Sequence, residues 1–230
     1  MKNKKTIEKK LGVTFNDENL LKNALIHRSY LNENRETGLE NNERLEFLGD
    51  AVLELIISAE LYRKFPNKKE GKLTSIRSAI VRTESLAEES RRLKIGDHIL
   101  MSKGEEDSGG KDKDFILANT YEAILGAIYL DRGIEECEEF VKRTALKKLP
   151  RVIKDELFID PKTKIQELAQ AKYKVTPTYK IVKESGPDHD KSFTVALNLG
   201  NKSIAKGTGL SKQKAEEEAA QKAIDKLEKK

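Results

Sequence analysis

"NNERLEFLGDAVLEL", residues 41–55, sets Glu43, Glu46, Asp50 and Glu54 into a run whose other side chains are mostly apolar. At 3.6 residues per turn, or about 100° per residue, the four carboxylates fall at roughly 0°, 300°, 340° and 20°, a single narrow stripe. Leu45, Leu48, Val52, Leu55 and Ile56 occupy much of the remaining circumference, interrupted by Arg44 and Gly49. A helix apolar on most of its surface is one that buries itself. Like charges three and four residues apart weaken an isolated helix by a few tenths of a kcal/mol per pair, so the stripe needs compensation.

A second stretch poses the same problem. "ILANTYEAILGAIYL", residues 116–130, is apolar nearly throughout, yet Asn119 and Glu122 stand one turn apart on one side. If the two stripes face each other, four to six oxygens converge, the donor set that a hard cation such as Mg²⁺ prefers, with waters completing its shell. Two other arrangements satisfy the same sequence: the stripes face water, or a basic side chain such as Arg44 neutralises them.

Around these helices the chain reads as two domains. Helical spacing recurs in "ENLLKNALIHRSYL", "DAVLELIISAELYRKF" and "KLTSIRSAIVRTESLAEESRRL", so residues 1–150 form an all-helical domain. Breaks are expected at "ENRETGLENN", "FPNKKEG", "KIGDHILMSKGEEDSGGKDKD" and "LPRVIKDELFID". The Gly-rich "GEEDSGGKDKD" lacks the Gly-Lys-Ser/Thr ending of a nucleotide-binding loop and reads as a mobile surface loop. Residues 151–159 are expected as a linker. From residue 160 the order is helix, strand, strand, strand, helix: "KTKIQELAQAKY", then "TPTYKIVKES", "KSFTVALNLG" and "KSIAKGTG", then "SKQKAEEEAAQKAIDKLEKK". The economical packing for that order is a three-stranded antiparallel sheet with both helices on one face.

Composition narrows the function. Residues 1–150 carry 27 basic and 27 acidic side chains, and residues 151–230 carry 17 and 12, so the whole net charge of +5 belongs to the C-terminal third. A basic segment beside a neutral one suggests a polyanionic partner for the former. The single cysteine, Cys137, excludes an intramolecular disulfide, and three scattered histidines offer no zinc-site spacing. "MKNKKTIEKK" is followed by "LGVTFNDENL" rather than an apolar core, and no later segment is long and charge-free enough to cross a bilayer. The expectation is a cytoplasmic protein with no membrane partner. The absence of Trp argues against base stacking on single strands.

"NERLEFLGDAVL" resembles the signature of the ribonuclease III family, and "ILANTYEAILGAIYLD" resembles that family's second acidic motif. "ALIHRSYLNE", "FPNKKEGKLTSIRSAIVRTESLA" and "SKGEEDSGG" stand in the same order and spacing, so the resemblance spans essentially the whole chain. It implies a homodimer of helical endonuclease domains acting on double-stranded RNA. It makes Glu46, Asn119 and Glu122 the ligands of Mg²⁺, with Mn²⁺ able to substitute, and Asp50 an essential catalytic acid beside them. Glu43 and Glu70 match outer acidic positions at the cleft or subunit boundary. Phe47 matches a dimer-contact aromatic, although a plain core residue would fit equally. Products with 5′ phosphates, 3′ hydroxyls and two-nucleotide 3′ overhangs are implied, as is processing of ribosomal and other precursor RNAs. His27 reads as a packing or hydrogen-bonding residue rather than a base.

The family usually has aspartate where this chain has Asn119, whose amide oxygen can bind Mg²⁺ but adds no negative charge. Two readings follow: an active nuclease with a weakened site, or a dimer that binds duplex RNA without cutting it. Residues 160–230 resemble a double-stranded RNA-binding domain, a module that reads A-form shape across two minor grooves and the phosphates between them. The resemblance puts Thr163, Gln166 and Glu167 at one minor groove, His189 at the second, and Lys212 and Lys214 on phosphates. Gln213 replaces one of the two adjacent lysines common in the family.

Overall fold

A computed structural model describes residues 4–34, 38–187 and 191–228. The first compact unit runs to Phe158 and the second begins at Ile159. In the first lie α1 (Lys4–Leu11), α2 (Glu18–Ala24), α3 (Arg28–Glu33), α4 (Glu43–Lys64), α5 (Glu70–Val81), α6 (Thr83–Arg92), α7 (Lys103–Asp107), α8 (Asp114–Arg143) and α9 (Leu149–Lys154). The second holds α10 (Pro161–Tyr173), β1 (Pro177–Ser185), β2 (Ser192–Leu199), β3 (Lys202–Gly209) and α11 (Lys212–Glu228).

The first unit is built on α4 packed along α8, which bury Leu45, Val52, Leu53, Ile56 and Ile57 against Ile116, Leu117, Ala123, Ile124, Ala127 and Ile128. Glycine lets the two backbones touch. A Cβ placed on Gly49 would lie 1.8 Å from the carbonyl oxygen of Glu122, and one on Gly126 would lie 2.2 Å from that of Leu45. At Gly133 (φ 82°, ψ −176°) α8 breaks its helical course, a conformation open to glycine, and beyond it Cys137, Phe140 and Val141 return to the core. Before the break, Asp131 accepts hydrogen bonds from the backbone N–H groups of Asn16 and Asp17, at 2.8 and 2.9 Å, fixing the entry to α2.

Three local expectations change. "ENLLKNALIHRSYL" does not form one helix, because Leu25–His27 leaves it to meet Leu100. The Leu100 N–H donates to the Leu25 carbonyl at 2.8 Å, and the His27 N–H to the Leu100 carbonyl at 2.9 Å. "GEEDSGGKDKD" is a folded turn rather than a bare loop: Ser102 caps α7, Gly110–Asp112 forms a 3₁₀ turn, and Lys113 Nζ reaches Glu105 Oε1 at 2.7 Å. Its opposite charges pair with one another. The linker expected at 151–159 is mostly absent, because α9 buries Leu149 and Val152 in the first core and the Lys72 ammonium sits 4.1 Å from the centre of the Phe158 ring. The first unit therefore extends past the expected boundary at residue 150.

The second unit has the expected α-β-β-β-α order, an antiparallel sheet in the order β1-β2-β3, and α10 and α11 packed together on it. Ile165, Leu197, Ala219, Ala220, Ala223 and Ile224 form its core. The Ala-rich face of α11 is explained by contact: a Cβ on Gly207 would meet Ala215 O and Ala219 N at 2.3 Å.

Gly126→Ala should lower the melting temperature, because the added methyl meets only backbone, that of Leu45 and Gly49, an overpacking cost of about 1–3 kcal/mol. Gly71→Ala is the comparison, since nothing lies within 4 Å of a Cβ there. Thermal unfolding of both variants checks this, and equal midpoints would contradict the close approach of α4 and α8.

Candidate active site and duplex-binding face

The contact between Gly49 and Gly126 decides what lies one turn away. It brings Glu46 and Asp50 of α4 against Asn119 and Glu122 of α8. The Asn119 carboxamide donates a hydrogen bond to the Glu46 carboxylate. Burial pushes the Glu122 carboxyl up to about 8, and the negative charges of Asp50 and Glu46 push it the same way. Glu46 is also raised, chiefly by burial, with Glu43 and Asp50 adding repulsion and the Asn119 hydrogen bond opposing them. Among the described residues no cation acts on Glu122. Arg44, one candidate for neutralising the stripe, points instead to Glu40 at 3.3 Å.

Such a cluster is electrostatically incomplete. Its donors are all oxygens, its charges repel, and part of it is desolvated, which suits a divalent cation. The cage is not preassembled: among the described residues no three His, Cys, Asp or Glu side chains are gathered closely enough to hold an ion as they stand.

Glu43 and Glu70 occupy different surroundings. Glu43 is exposed at the start of α4, bonded by Asn41 Nδ2 at 3.2 Å and 3.8 Å from Arg28 Nη1. Glu70 opens α5, accepts from Thr74 Oγ1 at 2.9 Å, and lines a groove of about 780 Å³ with Leu55, Tyr62, Phe65 and Leu73. Phe47 is 81% exposed, which excludes the core alternative. With Leu55 at 62% and Tyr62 at 78% it makes an apolar outer face on α4. Leu55 and Tyr62 were not singled out from the sequence, although Leu55 follows Phe47 by eight residues and Tyr62 follows Leu55 by seven, which places all three on one face. His27 caps α3, its Nδ1 2.8 Å from Ser29 Oγ, and burial lowers its pKa. That is a hydrogen-bonding role.

In the second unit Thr163, Gln166 and Glu167 share a shallow hollow of about 500 Å³ on α10 with Gln170, Ala171 and Lys174. Asp160 fixes the start of that helix by accepting from the Thr163 N–H at 3.0 Å. Lys212 lies over the Phe193 ring, 5.7 Å from its centre, and Lys214 is 3.5 Å from Glu217. Gln213 also bonds to Glu217, at 2.9 Å. His189 lies outside the described residues. Among the described residues no helix is long and apolar enough to cross a membrane.

Comparison with known proteins agrees with this division. Residues 17–149 match the ribonuclease-III-like family, and residues 161–227 match the double-stranded RNA binding motif. Ribonuclease 3 of a Nitratiruptor species is 44% identical over 97% of this chain and 96% of its own length. Ribonuclease 3 of Lactococcus lactis is 45% identical with the same two coverages. The nuclease domain of ribonuclease III from Campylobacter jejuni, whose structure is described as flexible in a region involved in dimer formation, superposes with a TM-score of 0.59. It is 43% identical and covers 64% of this chain and 99% of its own. With both domains matched in order and the relatives aligned nearly end to end, the chain belongs to the ribonuclease III family of double-stranded RNA endoribonucleases.

Proposed function

We propose that this protein is a Mg²⁺-dependent homodimer, with Mn²⁺ able to substitute, that hydrolyses phosphodiester bonds in duplex RNA. Its products carry 5′ phosphates, 3′ hydroxyls and two-nucleotide 3′ overhangs, and its work is the cytoplasmic maturation of ribosomal, messenger and transfer RNA precursors. The observation that carries this reading is the meeting of Glu46, Asp50 and Glu122 with Asn119 and no cation among them.

Glu46, Asn119 and Glu122 are the residues that would hold the metal, which when bound lowers the pKa of a coordinated water and stabilises the departing 3′ oxygen. Glu122 must give up its proton to take part, so its elevated pKa makes the site acid-sensitive. Asp50, exposed on the same stripe, would act beside them as the essential catalytic acid. Glu43 and Glu70 flank the cleft. Thr163, Gln166, Glu167 and His189 would read minor grooves, while Lys212 and Lys214 grip phosphates.

The apolar face of α4 supports the dimer. Phe47 and Tyr62 are about 22 Å apart along the helix, an apolar surface of the kind that marks an interface. In a twofold, antiparallel pairing of two α4 helices, Phe47 of one protomer meets the Tyr62 end of the other, where the groove bordered by Glu70 lies. The alternative, a duplex-binding dimer that does not cut, draws on one observation: Asn119 is neutral and its amide is turned to Glu46.

Glu122→Gln should reduce cleavage by about 100-fold or more while leaving duplex binding intact, and excess EDTA should stop the native protein. The same variant should melt higher than the native protein without metal. An acid whose folded pKa is raised supports the fold while neutral and loses that support as pH rises from the ordinary carboxylate range through about 8. The gain should therefore widen across that window, and full activity in EDTA or in the variant would sink the mechanism. Asn119→Asp adds a charged ligand and should lower the Mg²⁺ needed for half-maximal cleavage without changing duplex affinity. Superimposable metal titrations would place residue 119 away from the ion, and a native protein that never cuts would favour the binding-only reading. Phe47→Glu should yield monomers by light scattering; an unchanged dimer mass would rule out the α4 face as the interface.

A further inference from the structure

An acidic cluster that must admit a polyanion needs a fixed cation at its rim, and among the described residues several nearby cations are engaged elsewhere. Lys113 is bonded to Glu105 and Ser108, Arg77 to Ser58 near Glu54, and Arg44 faces Glu40. Arg28 differs. It is the first residue of α3, its side chain is 74% exposed, and its ion-pair approach to Glu43 Oε1 is a long 3.8 Å. A guanidinium carries five N–H donors in a planar fork, and one loose contact leaves a pair of them for a phosphate.

Its backbone, by contrast, is tightly placed. On one side of Arg28, His27 caps α3 and donates its N–H to Leu100. On the other, Ser29 Oγ accepts from the Ser102 N–H at 3.0 Å. The Asn42 N–H, at the very start of α4, donates to the Ile26 carbonyl at 2.9 Å. Arg28 is thereby tied to the same helix end that carries Glu43, and the charges of Arg28 and Glu43 are both felt by His27. Glu46 follows Glu43 by one turn, at about 5–6 Å between Cβ atoms on the helix surface. Through Glu43 the guanidinium lies one helical turn from Glu46, and Arg28 is not among the charges acting on Glu46 or Glu122.

We propose that Arg28 is a substrate-positioning residue: it grips a phosphate next to the one being cut, and Glu43, itself held by Asn41, orients the guanidinium for that contact. This rests on the duplex-cleavage reading above. Glu43 then acts through a cation, which accounts for its place outside the group formed by Glu46, Asp50, Asn119 and Glu122.

The test compares Arg28→Gln, Arg28→Lys and Arg44→Gln in the full chain, using one long RNA duplex. Initial rates are measured with Mg²⁺, and binding is measured in EDTA over a range of salt concentrations. Arg28→Gln should raise KM about tenfold, the value of a charge-assisted hydrogen bond, with kcat changing much less. Its log-log salt dependence should become shallower by about one unit for each phosphate no longer gripped, hence by one to two in a twofold dimer. Arg28→Lys should restore the salt slope because it keeps a point charge, and Arg44→Gln should match the native protein in both measurements. Melting temperatures should agree throughout, because a role confined to holding the fold would shift them. A native KM and slope in Arg28→Gln, or equal losses in Arg44→Gln, would overturn the proposal. If the native protein does not cut but Arg28→Gln still flattens the slope, the cleavage reading fails and the phosphate grip stands; normal cutting with an unchanged slope gives the reverse.

Discussion

Everything at the candidate site depends on two helices being allowed to touch backbone to backbone. Side chains normally hold packed helices 8–10 Å apart. At the crossing of α4 and α8 the spacers are missing, because Gly49 faces the Glu122 carbonyl and Gly126 faces that of Leu45. The glycines weaken each helix individually by about 0.5–1 kcal/mol relative to alanine, a loss that the apolar contacts on either side of the crossing offset. What the approach secures is the overlap of two oxygen-bearing stripes that an ordinary separation would leave apart. Residues with no chemistry of their own thus fix the geometry of those that have it.

That overlap carries an electrostatic cost which the protein alone does not relieve. Burial and the charges of Asp50 and Glu46 favour the protonated form of Glu122, whereas the Asn119 hydrogen bond favours charge on Glu46. In the proposed mechanism a cation would relieve this repulsion, so the readiness of the site would depend on pH as well as on metal concentration. An asparagine at position 119 adds no negative charge to a cluster that already holds Glu46, Asp50 and Glu122.

The helical period made the convergence of Glu46, Asp50, Asn119 and Glu122 legible in the sequence, because a spacing of three or four residues fixes a shared face whatever the loops do. The α-β-β-β-α order was legible for the same reason, with strand alternation in place of helical spacing. Periodicity does not say which neighbour a face meets. Leu55 looked like any other apolar position of α4, and only its 62% exposure beside Phe47 and Tyr62 separates it from the buried Val52 and Ile56. Charge density misled at two places. The acidic and basic residues of "GEEDSGGKDKD" suggested solvation, whereas Lys113 and Glu105 pair, and "KDE" before Leu157 and Phe158 hid the continuation of the first core through Val152. Arg28 carried no periodic signal at all; its significance comes from hydrogen bonds between residues 26, 42, 29 and 102, which lie far apart in the chain.

The position of the boundary at Phe158 sharpens one property of the whole chain. The residues it returns to the first unit, 151–158, bring Arg151 and Lys154 together with Asp155 and Glu156 and so carry no net charge. The first unit stays neutral, and the second keeps the entire excess of +5. The excess positive charge and the acidic cluster of α4 and α8 thus lie in separate folding units with separate cores. A substitution that changes the net charge of the second unit therefore leaves the core around the acidic cluster untouched, so the two can change independently in evolution.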